Sequence, residues 1–91
     1  MNTKPISNER AAEGFAAAGS TARLAVLRQL VRAGENGLAI GEIGDKLGIP
    51  LTTLAHHLKS LAAAGLIEQV KQGRSVINRA KFDHIEALAA F

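Results

Sequence analysis

Thr52, Thr53, His56, Lys59 and Ser60 place hydroxyls, an imidazole and an ammonium at short intervals along one stretch, with no carboxylate among them. Groups of these types hydrogen-bond phosphate oxygens and the edges of bases in a major groove. Leu54, Leu58 and Leu61 recur at spacings of four and three through the same stretch, so one side of it is a buried helical stripe and the polar residues face outward or sideways. His57 falls at the border of the stripe and is expected to be a packed histidine, which leaves His56 as the more exposed of the pair.

The elements that must hold this surface follow from the neighbouring residues. Ile40, Ile43 and Leu47 share one face of a short helix. Gly48 can leave that helix with positive φ, and Pro50 pushes Ile49 away from helical angles. A second helix is predicted over 52–64, starting around Thr52, with Thr52 or Thr53 capping it. Two helices joined by so tight a turn, at about 40–64, make a helix-turn-helix, whose second helix enters a major groove. Gly65 closes that helix as a C′ glycine. Extended runs at Leu66 to Lys71 and Arg74 to Arg79, rich in β-branched residues and separated by Gln72-Gly73, then predict a hairpin wing at about 66–79. Its tip carries Lys71 and Arg74, and a basic hairpin directly after a reading helix can put Arg74 into or across the adjacent minor groove.

Upstream, Met1 to Ile6 reads as a loose leader. Ser7 can cap a helix at about 8–18, with Glu9 near its positive end. That helix offers a small-residue surface with one large knob, Phe15, and such a helix is marginal without packing, a second copy of the chain being one source. Ser20 or Thr21 starts the next helix, Thr21 to Ala33, with Leu24, Leu27, Leu30 and Val31 as its apolar stripe and Arg23, Arg28 and Arg32 elsewhere. Gly34-Glu35-Asn36-Gly37 is turn material, and Leu38-Ala39-Ile40 is a short extended piece. A last helix at about 81–90 presents Phe82, Ile85 and Leu88 on one apolar face, which with Phe15 gives the candidate dimerisation surface.

The chain of 91 residues suffices for one domain, 1–91, with a single modest core. The fold class expected is mostly α with a small β-hairpin, in the order helix, helix, helix, helix, strand, strand, helix. With no cysteine there is no disulfide, thiolate metal site or thiol switch in the sequence. No run approaches the roughly twenty apolar residues of a membrane span, and the N-terminus lacks the apolar segment of a signal peptide; a cytoplasmic location is expected, with no membrane partner. The net charge is +3, and residues 50–81 concentrate it, with Lys59, Lys71, Arg74, Arg79 and Lys81 against Glu68 alone. A basic excess on and just after the reading helix fits a polyanion partner.

Two segments carry a resemblance to a known family: Ser20-Thr21-Ala22-Arg23-Leu24-Ala25-Val26-Leu27, and Leu54-Ala55-His56-His57-Leu58-Lys59-Ser60-Leu61-Ala62-Ala63-Ala64-Gly65-Leu66-Ile67, followed by the Gly73-Arg74 turn. In that order of elements the chain resembles the ArsR/SmtB winged-helix repressors. The resemblance implies a homodimer built on the first and last helices, repressing promoters until an inducer binds; the residues themselves name no inducer. The family's metal sensors carry a Cys-x-Cys pair where this sequence has Ala39 and Gly41, and Asp83 and His84, being adjacent, point about 100° apart on a helix. No metal and no cofactor is therefore expected. Leu51 and Ala55 stand where many members carry glutamine and serine, which leaves Thr52, Thr53 and His56 as the base readers.

Together these residues predict a sequence-specific DNA-binding transcriptional regulator with double-stranded DNA as its partner, and the resemblance implies that it is a homodimeric repressor, with itself as the second partner. The alternative is a winged-helix protein-interaction module without sequence-specific DNA binding, which Leu51 and Ala55 favour slightly and the polar reading face opposes. An enzyme would have to draw on His56, His57, His84 and Asp83, and these form no nucleophile–base–orienter arrangement.

Overall fold

The computed structural model describes residues 5–91; Met1 to Lys4, most of the expected leader, lie outside the described residues. Ile6 lies within them and packs against the core. Helix α1 (Asn8–Ala18) starts where the Ser7 hydroxyl accepts the Arg10 N–H at 3.1 Å. It buries its small residues Ala11, Gly14 and Ala17, which brings its backbone close to the rest of the fold. Helix α2 (Thr21–Ala33) is capped in the same way, by Ser20 accepting from Arg23 N–H. Arg23 also donates from Nε to the Ala17 carbonyl at 2.7 Å, satisfying an end of α1 that helix geometry leaves open.

The buried stripe of α2 is Val26, Leu27 and Leu30. The expected stripe is corrected at its edges: Leu24 and Val31 are 46% and 41% exposed. At about 100° per residue both lie on the flank of the arc centred between Val26, Leu27 and Leu30, where the neighbouring elements no longer cover them.

A 3-10 turn over Gly34–Asn36 leads to strand β1 (Leu38–Ala39) and helix α3 (Ile40–Leu47). The Glu42 carboxylate accepts the Ala39 N–H at 2.9 Å, closing the start of α3. Gly48 then takes the left-handed conformation, φ 67° and ψ 25°, as the turn requires. Helix α4 (Leu51–Ala63) follows. It begins one residue earlier than expected, and neither Thr52 nor Thr53 caps it: Pro50, at φ −56° and ψ 141°, occupies the N-cap position, so both threonines lie inside the first turn. At its other end Leu66 N–H reaches the Leu61 carbonyl and Gly65 N–H the Ala62 carbonyl, both at 3.0 Å, with Gly65 at φ 81°.

The hairpin is one residue out of the expected frame. Strands β2 (Ile67–Gln72) and β3 (Ser75–Ala80) pair antiparallel from Ile67↔Ala80 to Gln72↔Ser75, which leaves Gly73 and Arg74 as the loop. Gly73 has φ 60° and Arg74 does not, as in a type II′ turn. The expected two-stranded ribbon is a three-stranded sheet, because β1 adds to the far edge of β3 through Leu38↔Asn78 and Ala39↔Ile77, giving the order β1-β3-β2. Helix α5 (Phe82–Ala89) ends the described chain, with Leu88 seated on Gly14 of α1. One core joins all of this: Val26 and Leu30 of α2, Ile43 of α3, the three leucines of α4, and Leu66 and Ile67 at the start of the wing. Among the described residues no helix is long and apolar enough to cross a membrane.

Candidate nucleic-acid interface

Leu54, Leu58 and Leu61 are fully buried and fix the rotation of α4 about its axis. On a helix turning 100° per residue they span an arc of about 60°, while Thr52, Thr53, His56, Lys59 and Ser60 share an arc of about 120° on the opposite side. All five are exposed. The core that anchors α4 therefore also presents its donors to solvent as one ridge. His57 lies between the two arcs and is half-buried; Leu51 folds back over α3, near Gly44, and stays exposed.

Lys71 and Arg74 of the wing are also exposed, and Arg74 lines a cavity with Ala55 and Leu58 of α4. Arg74 is in the loop itself, and Lys71 pairs with Val76 in the second pair below it. Among the described residues, Lys59, Lys71 and Arg74 form no ion pair. Ion pairs occur elsewhere: Arg10 with Glu13 at 3.2 Å on α1, and Arg79 with Glu68 at 2.8 Å across β2 and β3. The second of these neutralises Arg79 locally, so among the described residues Lys71 and Arg74 are the wing's cations outside an ion pair.

Asn78 ties the wing to β1, and sequence reasoning did not single it out. It is 1% exposed; its amide nitrogen donates to the Leu38 carbonyl at 3.1 Å, and its carbonyl oxygen accepts from Gln69 at 2.9 Å. The signal was present in the alternation Val76, Asn78, Ala80, where an inward position of a strand holds an amide that must then find partners.

The remaining expected sites are dispersed. Phe15 is 55% exposed on α1, on the flank of the arc buried through Ala11, Gly14 and Ala17. Phe82 and Ile85 are half-buried and pack against the core of their own chain, and Leu88 is 8% exposed. Asp83 is exposed, whereas His84 turns inward with Nε2 buried and unpartnered beside Gly65 and the Arg10 guanidinium.

A polar, cationic ridge on the second helix of a helix-turn-helix, flanked by a basic hairpin, defines a winged helix-turn-helix DNA-binding protein. Comparison with known proteins agrees. A family model described as a helix-turn-helix domain matches residues 19–70. The chain is 36% identical over 75 residues to the uncharacterised HTH-type transcriptional regulator YceK of Bacillus subtilis, covering 82% of this chain and 74% of that one. It is 41% identical over 66 residues to the uncharacterised HTH-type regulator MJ1325 of Methanocaldococcus jannaschii, covering 71% of each. Among solved structures, an ArsR-like transcriptional regulator from Rhodococcus superposes with a TM-score of 0.80 at 29% identity, over 90% of this chain and 74% of the other. A homodimeric winged helix-turn-helix DNA-binding domain from Mycobacterium bovis shares the fold, with a TM-score of 0.76 at 23% identity over 96% and 84% of the two chains. The chain belongs to the ArsR family of winged helix-turn-helix transcriptional regulators.

Proposed function

We propose that the chain is a homodimeric repressor that reads a two-fold operator, each α4 lying in a major groove and each wing reaching the flanking groove. The observation that carries the reading is the opposition of the two arcs on α4: three leucines seat the helix, and five exposed donors without a carboxylate occupy the opposite side. Thr52, Thr53 and His56 read base edges, Lys59 and Ser60 hold phosphates, and Lys71 and Arg74 extend the contact across the wing. Two such helices related by a dyad meet successive grooves about 34–36 Å apart.

The dimer is built on α1 and α5. Phe15 supports this, being a large exposed aromatic at the edge of a helix face that is already packed. The Mycobacterium bovis neighbour with this fold is homodimeric. Repression follows where the operator overlaps a promoter, by exclusion of the polymerase.

Selection of bound fragments from a random duplex pool tests the proposal. Two inverted half-sites, centred about 10–10.5 base pairs apart or a multiple of that, are expected. Absence of enrichment, or enrichment of a single asymmetric site by a monomer, would contradict it.

A further inference from the structure

Burial falls along the wing from Ile67 and Ala80 to the exposed hairpin tip, and between its outer half and α4 lies a cavity of about 480 Å³. Ile40 of α3 with Ala55 and Leu58 of α4 form one side; Val76, Gln69 and Asn78 form the other. Among the described residues, Arg74 from the hairpin loop supplies the only charge in the lining. The volume lies within the range of small-molecule sites, which combine an apolar wall with a few polar groups.

We propose that this wedge binds a small carboxylate with an apolar body, and that its occupation draws Arg74 away from DNA. The proposal rests on the DNA-binding reading for its second clause only. The aliphatic side of the cavity suits an aromatic or branched hydrocarbon body and offers nothing to a bare inorganic anion. The guanidinium of Arg74 matches a carboxylate with two parallel N–H bonds. The Gln69 carbonyl oxygen is left over from the bond its amide nitrogen makes to Asn78, so the polar side keeps an acceptor for a hydroxyl on the ligand. The two walls are the reading helix and the wing. A molecule wedged between them fixes their relative attitude, and its carboxylate competes with phosphate for one guanidinium. Ligand and DNA must then weaken each other by the same factor.

The test uses 4-fluorobenzoate as the probe and neutral 4-fluorobenzamide as its isostere, each titrated into the full chain and followed by fluorine and amide NMR. Saturable binding of the acid below about 10 mM is expected, with the amide at least roughly tenfold weaker. Perturbed amides should centre on Ile40, Ala55, Gln69 and Val76. Val76→Phe, which fills the wedge, should lose the probe while keeping its melting curve; Arg74→Gln should bind acid and amide alike. Equal binding of acid and amide by the parent, perturbations centred on α1 and α5, or no saturation by about 10 mM would overturn the site. If the site saturates and the affinity for a fluorescent duplex stays the same, the competition with DNA is overturned. A parent chain that binds no duplex would instead sink the proposed function, while the NMR arm still decides the cavity.

Discussion

Asn78 donates its side-chain amide to the Leu38 carbonyl oxygen at 3.1 Å, and that bond ties the root of the wing to the two-residue strand that leads into the helix-turn-helix. Because β1 is so short, this amide adds a bond to the few that hold that strand against β3. Asn78→Ala leaves the Gln69 amide and the Leu38 carbonyl short of a partner in a partly buried place, and should cost about 1–3 kcal/mol. In a domain of this size each kcal/mol lowers the melting temperature by about 4–8 °C. Calorimetry checks the loss, and hydrogen exchange should show it first at β1 and β3.

Two glycines at positive φ, Gly48 in the left-handed helical region and Gly37 at ψ −170°, should respond differently to alanine. Gly48 has φ 67° with open space around its missing side chain, so Gly48→Ala should cost about 1–2 kcal/mol, the conformational strain alone. Gly37 has φ 64°, and a Cβ there would overlap the Asn78 carbonyl oxygen and the side chains of Ile77 and Arg79. Gly37→Ala should therefore cost more than Gly48→Ala and detach β1. Parallel denaturant titrations of the two variants give the comparison.

Much of this architecture was legible in the sequence. Ser7 and Ser20 are placed one residue ahead of their helices and cap as their chemistry implies, and the four-and-three spacing of Leu54, Leu58 and Leu61 gives the rotation of α4 without any coordinates. Local signals failed where a distant partner decides. The third strand exists because Leu38 finds Asn78 forty residues away, and the hairpin loop moved by one residue because the long ladder from Ile67↔Ala80 sets the frame. Leu24 and Val31 read as core from periodicity alone; which flank of α2 is covered depends on the placement of its neighbours. The ridge residues of the candidate site were readable, whereas the wedge between α4 and the wing is a property of how the sheet is placed against the helix.

Removing the charge at the wing tip and altering the ridge should have different signatures. Arg74→Ala should weaken binding to every duplex and flatten the plot of log affinity against log salt by roughly 0.9, the slope that belongs to one neutralised phosphate. His56→Ala should leave that slope in place and relax the preference at one base position, worth about 1–3 kcal/mol. Fluorescence anisotropy at several salt concentrations, against the selected site and a scrambled one, distinguishes them.

Phe15→Ser should leave the fold intact, since Phe15 is exposed and the buried positions of α1 are Ala11, Gly14 and Ala17. The variant should sediment as a monomer at concentrations where the parent is a dimer. Its affinity for a two-half-site duplex should drop to that for a single half-site, because the second binding event is no longer intramolecular.

The most direct test of the account compares two variants on the selected duplex by anisotropy: Thr52→Ala/His56→Ala/Lys59→Ala on the ridge of α4, and Arg28→Ala/Arg32→Ala on the exposed side of α2. The ridge variant should lose roughly a hundredfold or more in affinity, while the α2 variant stays within about threefold of the parent. Equal losses, or a larger loss from α2, would mean that the surface opposite the leucines of α4 is not the one that meets DNA.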